Sequence, residues 1–229
     1  MRKFYNFTLY FCILLLLSKF MIANNKNINN NMFKLPQVKL KGNISIEEAI
    51  AGRRSIRDYL DQPLKIEDVS QLLWAGQGIS DPTNKFRTAP SAGALYPIKL
   101  YICVGNISNL PNGLYYYQNS NHSIIMLTNI DIRKNIWEVS LWQNSIIKAP
   151  IVIIITAIFD ITKRKYGERA SQYVYIEAGH IAQNILLQAY ALGLGGVPIG
   201  AFYDDGIKNV LKIPKDETPI YIIPIGKKK

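Results

Sequence analysis

Arg53, Arg54 and Arg57 place three guanidinium groups close together, with the Ser55 hydroxyl among them, in the stretch Gly52-Arg53-Arg54-Ser55-Ile56-Arg57-Asp58-Tyr59. A guanidinium stays charged and presents a planar fork of N–H donors, and a hydroxyl and backbone N–H groups can add to it. The natural guest of such a cluster is a terminal phosphate. Taken alone, the same residues also describe a solvated basic loop. A second segment, Pro90-Ser91-Ala92-Gly93-Ala94-Leu95-Tyr96-Pro97, concentrates small residues between two prolines. Such a segment lets another group approach the backbone closely, as a flat ring system requires. Ser91 could equally cap a helix, and the two roles are compatible. A third segment, Gly193 to Gly200, is a glycine-rich turn carrying Val197, Pro198 and Ile199. It is neither G-x-G-x-x-G after a strand nor a Walker loop, so the standard dinucleotide and nucleoside triphosphate readings fail.

Other chemistries lack their residues. The only cysteines are Cys12 and Cys103, and the two histidines, His122 and His180, lie far apart, so no metal site is expected. The formal net charge is +11. Lysines are nevertheless spread before Leu35 and gathered at Lys227 to Lys229, while the middle mixes both signs, and no nucleic-acid partner is expected.

The elements that must position these segments follow from periodicity. Ser45-Ile46-Glu47-Glu48 reads as a capping box opening a short helix to about Gly52, which delivers the arginines at its C-terminal end. A second helix carries Ile66, Val69, Leu72 and Leu73 on one face and stops at Gly76 or Gly78. Residues 79–89 read as loop. Strands are expected at Ile98 to Val104, at Gly113 to Tyr117 with Ser123 to Leu127 as a hairpin, and at Ile220 to Ile225. Asp131 to Ile147 carries a helical pattern, and the unbroken run from Ile151 towards Phe159 is a strand buried on both faces, at the sheet centre. The longest helix spans about Arg169 to Leu192 and is apolar on more than one face, so its embedded polar groups should be buried and His180 should be an interior or interface residue.

Residues 1–23 stand apart. Arg2 and Lys3 precede an apolar run to Leu17, and Met21-Ile22-Ala23 follows, which reads as a secretion signal or, second, as an uncleaved membrane anchor. The protein is then exported or membrane-anchored, and cytoplasmic if the segment is not a signal. Loss of the segment leaves Cys103 as the only thiol and no internal disulfide. Residues 24–34 form an Asn-rich linker, and the domain occupies 35–229, with 48% hydrophobic residues in the chain to supply its core.

These segments resemble the flavin-binding parts of the FMN-dependent nitroreductase superfamily. Arg87 to Pro97, Tyr166-Gly167-Glu168-Arg169 and Glu177 to Asn184 are most similar to its SagB-type branch, which includes the azoline and thiazole dehydrogenases of peptide natural-product pathways. The resemblance covers about Ser45 to Lys228. It implies an α+β sandwich, a mostly antiparallel central sheet surrounded by helices, in an interlocked homodimer with FMN at each interface site. By motif, Arg53, Arg54, Ser55 and Arg57 would hold the phosphate and ribityl chain, with Lys228 closing on the phosphate. Pro90, Ser91, Ala92 and Gly93 of the other subunit would lie near the isoalloxazine, and Val197, Pro198, Ile199 and Gly200 would border its opposite side. Ala94 stands where many nitroreductases have Asn, a departure that the SagB-like branch shares. The implied chemistry is two-electron transfer through the flavin, with NAD(P)H or a quinone as donor and a small-molecule or peptide-derived substrate. Lys165, Tyr166 and Tyr173 are candidates for substrate contact or proton delivery. The alternative is a non-catalytic flavin- or ligand-binding protein on the same scaffold.

Overall fold

The computed structural model describes residues 31–229; the segment 1–23, and the Asn-rich run through residue 30, lie outside the described residues. Nine strands are described: β1 Met32–Lys34, β2 Ile79–Asp81, β3 Phe86–Arg87, β4 Ile98–Val104, β5 Gly113–Gln118, β6 Ser123–Thr128, β7 Ile151–Ile158, β8 Leu194–Gly196 and β9 Glu217–Lys227. The helices are α1 Ile46–Gly52, α2 Ile66–Gln77, α3 Arg133–Glu138, α4 Ser145–Lys148, α5 Phe159–Tyr166, α6 Ala170–Ala191 and α7 Asp204–Leu211.

Seven strands form one sheet in the order β1-β6-β5-β4-β7-β9-β8, and every pairing in it is antiparallel. Helices cover both faces. Ile151, Ile153, Ile155 and Ala157 of β7 pack with Leu100 and Ile102 of β4 against Leu72 and Leu73 of α2 and Ala178, Ile181 and Ile185 of α6. Their alternates, Val152 and Ile154, pack with Cys103 against Ile136 of α3, Ile146 of α4 and Ile207 of α7. Period-two alternation across a sheet covered on both sides is why β7 reads as an unbroken apolar run. Each fully buried isoleucine contributes about 1.5–3 kcal/mol relative to exposure.

Four sequence expectations change. The sheet begins within the expected linker, because Met32–Lys34 pairs with Ile125–Ser123 and so satisfies an edge that a linker would leave open. Residues 79–89 are not all loop, since β2 and β3 form a small hairpin whose Asp81 carboxylate accepts from the backbone N–H groups of Thr83 and Asn84. The pattern over 131–147 divides into α3 and α4. Leu141 and Trp142 adopt left-handed φ of 53° and 57° between them, and Trp142 returns to stack edge-on against Trp137. The glycine-rich turn contains an edge strand, β8, entered through Gly193 at φ 75°. Cys103 is buried in the sheet, and burial pushes its thiol up to about 12, so it is a packing group rather than a nucleophile.

Candidate functional site

The arginine cluster is set by the end of α1. Ser45 and Glu48 form the reciprocal capping bonds expected of the sequence, and the helix stops at Gly52, where a Cβ would run into the Tyr190 ring. From there the chain runs beside β8: the Ile56 N–H donates to Gly196 O at 3.0 Å, and Ser55 bridges Gly196. A Cβ on Gly195 would stand 2.7 Å from Ile56, so glycine is what allows this approach. At the C-terminal end of β9, the strand that pairs with β8, Leu60 N–H donates to Lys227 O and Tyr59 bridges Lys228, which fixes Lys228 next to the cluster.

The result is a cavity of about 100 Å³ lined by Arg53, Arg54, Tyr190, Gly195, Gly196 and Lys228. Lys228 Nζ lies 4.6 Å from the centre of the Tyr190 ring. Arg54 donates to Ala51 O and Arg53 O, closing the end of α1. Among the described residues, the three salt bridges involve none of Arg53, Arg54, Arg57 and Lys228. Unneutralised cations around a glycine-lined hollow fit a phosphate. Ser55 and Arg57 are exposed beside this cavity rather than lining it.

The second set of residues gathers near the beginning of α6. Ala92–Ala94 make one 3-10 turn in which Gly93 and Ala94 have φ of 61° and 53°, and Tyr96 follows at 52°. A Cβ on Gly93 would stand 2.7 Å from the Tyr166 hydroxyl and 2.8 Å from Lys165 Nζ, so this loop meets both side chains within one chain. Tyr166 stacks edge-on against Tyr173 at 5.0 Å, and Lys165 Nζ lies 5.5 Å from the Tyr166 ring centre. Lys165 is exposed, while Tyr166 and Tyr173 are half-buried. Pro90 is exposed and Ser91 and Ala92 are half-buried. Val197 and Ile199 turn their side chains into the core, and Ile199 exchanges backbone bonds with Ile222, which leaves half-buried Pro198 and exposed Gly200 at the surface.

Tyr190 of the first set and Glu177, beside the second, lie thirteen residues apart on α6, about 20 Å at 1.5 Å per residue. The two sets are therefore at opposite ends of one helix. A larger cleft, about 480 Å³, lies elsewhere, between residues 39–46, α2 and the C-terminal half of α6, and holds none of the expected site residues.

Glu177 is the group that sequence reasoning passed over. It is 2% exposed, Ser91 Oγ donates to its Oε2 at 2.5 Å, and Gln77 Nε2 donates to its Oε1 at 3.5 Å. Burial raises its carboxyl to about 7, against the opposing pull of Ser91 and then Arg87. Its spacing from Val174, Ala178 and Ile181, all buried, was the available signal: a carboxylate on the apolar stripe of a helix. His180, expected in an interior or interface, is exposed in this chain along with Ile176 on the outer side of α6. The helix is apolar on more than one side, but the described residues cover only one of them.

Residues 50–227 match the nitroreductase family. A Methanocaldococcus jannaschii protein named as a nitroreductase is 40% identical over 195 residues, which span 85% of this chain and 96% of that one. A Ralstonia eutropha structure described as a nitroreductase superposes with a TM-score of 0.77 at 24% identity, covering 87% of this chain and 90% of the other. A chain of the E. coli microcin synthetase McbBCD complex with truncated pro-MccB17 bound superposes with a TM-score of 0.68 at 21% identity, covering 85% and 76%. At these identities the two superpositions speak to the fold. Fold and relatives together define an α+β oxidoreductase. The chain belongs to the nitroreductase family.

Proposed function

We propose that the protein is an FMN-dependent oxidoreductase that works as a homodimer, of the dehydrogenase type similar to the SagB branch or of the nitroreductase type. The observation that carries the reading is the basic, glycine-lined cavity of Arg53, Arg54 and Lys228, whose cations have no carboxylate partner among the described residues. Those three side chains would hold the cofactor's terminal phosphate, with Ser55 and Arg57 along the adjoining chain, and no adenosine-binding fingerprint is present to favour FAD. Bound FMN would supply two-electron transfer through its N5. The chain's own part is orientation: Pro198 and Gly200 present backbone to one side, the Pro90 to Gly93 loop forms a wall close to Lys165 and Tyr166, and those two side chains could contact substrate or move a proton. The non-catalytic alternative predicts a yellow protein whose flavin no donor reduces. Reduction of the bound flavin by NAD(P)H or a quinol, read as bleaching of its visible absorbance, supports the enzyme; no reduction by any donor or substrate sinks it.

Two features support the dimer. The residue sets lie about 20 Å apart in one chain, so a second copy could bring the Pro90 to Gly93 loop of one subunit to the phosphate site of the other. The outer side of α6 exposes Tyr175 and Ile176 at 56% and 47%, an apolar surface for which a second copy is the natural cover. Light scattering should give twice the mass of one chain, and a monomer that retains FMN would refute the arrangement. If residues 1–23 direct export, the electrons come from a quinone, a membrane partner or the substrate itself rather than from soluble NAD(P)H. Fractionation that finds them still attached to a cytoplasmic protein would reverse that assignment.

A further inference from the structure

The loop that carries Ser91 is strained and is held from outside itself. Gly93, Ala94 and Tyr96 all have positive φ, and for the two non-glycine residues that conformation costs of order 1–3 kcal/mol each unless the surroundings impose it. The restraint runs through Ser91, which accepts from the Tyr96 N–H at 2.9 Å and donates to Glu177 at 2.5 Å. Arg87 completes the ring of contacts. Its guanidinium donates to Gln77 Oε1 and lies 4.3 Å from the Tyr96 ring centre, and its backbone N–H donates to the Tyr96 hydroxyl at 3.3 Å. Gln77 in turn donates to Glu177.

We propose that Glu177 is a positioning residue: through Ser91 it holds the 91–96 loop against Lys165 and Tyr166, and loss of its proton loosens that loop. The loop hold stands on the geometry; its effect on catalysis rests on the FMN reading. The groups that act on Glu177 are Arg87 from β3, Gln77 from α2 and Ser91 from the loop, and Tyr96, Tyr116 and Tyr117 lie about the Arg87 guanidinium. Arg87 is the single cation among them, and it hydrogen-bonds Gln77 rather than the carboxylate. A buried carboxylate with one strong hydrogen bond and no direct cation favours any opening that admits water.

The direction with pH follows from linkage. The folded-state value, about 7, lies above the ordinary 4.5, so the stabilising contribution of the protonated form is complete below 4.5 and is lost as pH rises through about 7. The closed loop retains a proton that the open, hydrated loop gives up. Its opening equilibrium should therefore rise about tenfold between pH 6 and pH 8.

Hydrogen–deuterium exchange of the peptide covering 91–96, corrected for the intrinsic pH dependence of exchange, reads this in the full-length chain. Wild type should lose about tenfold protection between pH 6 and pH 8. Glu177→Gln, which has no proton to lose but turns an N–H₂ towards one of the two donors, should abolish the pH dependence of loop protection between pH 6 and pH 8. Ser91→Ala should leave the loop poorly protected at both. A Glu177→Gln loop whose protection still falls about tenfold between pH 6 and pH 8 overturns the proposal, because the titrating group then lies elsewhere. Wild-type protection that does not change with pH overturns it too, with or without a folded variant. FMN fluorescence titration of the same samples separates the two readings: no FMN binding by wild type sinks the cofactor assignment and leaves the exchange result standing.

Discussion

Replacing Arg53 and Lys228 together with alanine should strip the protein of FMN. Both side chains line the small cavity beside Gly195 and Gly196, and neither forms a salt bridge among the described residues. Each charge-assisted hydrogen bond to a phosphate contributes roughly 1.5–3 kcal/mol, so losing both costs about 3–6 kcal/mol, or ~10²- to 10⁴-fold in dissociation constant. Fluorescence titration of the apoprotein measures it directly. The fold should survive, because Arg53 is only half-buried and Lys228 is fixed by backbone pairing to Tyr59. Full FMN occupancy in the double variant would end the assignment of this cavity. Arg54 is a poorer choice of target, because its guanidinium also closes the end of α1 and its loss would mix binding with local unfolding.

The second large effect is expected at Lys165 and Tyr166. Their ammonium and hydroxyl face Gly93, at distances that leave no room for a Cβ there, and they are the proton-bearing side chains nearest that backbone. A positioned acid or base contributes about 10²- to 10⁴-fold to a rate, so Lys165→Ala and Tyr166→Phe should each lower kcat within that range. FMN affinity should change little, since neither residue lines the basic cavity. The measurement is single-turnover flavin reduction or reoxidation with the donor or substrate that serves wild type. Unchanged kcat in both variants would return these residues to the solvent. Gly93→Ala adds a steric check, because at φ 61° it strains the backbone and drives a methyl group into the same pair.

Much of the fold and of the basic segment that lines the small cavity is legible in the amino-acid sequence by itself. The β7 run Ile151 to Ile155 declares a strand covered on both faces, because only a sheet with helices on either side hides both sets of alternating side chains. Ser45 to Glu48 declares the start of α1, since a capping box is a local arrangement that few other conformations satisfy. The arginine cluster is legible for a similar reason: its charge and spacing lie within one short stretch, and its chemistry does not depend on what surrounds it.

What the sequence could not determine is what depends on groups distant in the chain. The edge strand Met32–Lys34 exists because Ser123–Ile125 offers it an unpaired edge, and the break between α3 and α4 exists because Trp142 finds Trp137. No local propensity records either partner. The split of one expected site into two sets, one at each end of α6, is likewise a matter of helix length and packing, as is the choice of Arg53, Arg54 and Lys228 over Arg57 to line the cavity. Glu177 makes the point most sharply. The sequence shows a glutamate in an apolar helix, and only burial together with Ser91, 86 residues away in the chain, turns it into a carboxyl that titrates near 7 and grips a loop. A pKa is set by the solvent a group loses and the partners it gains, and both are properties of the folded chain.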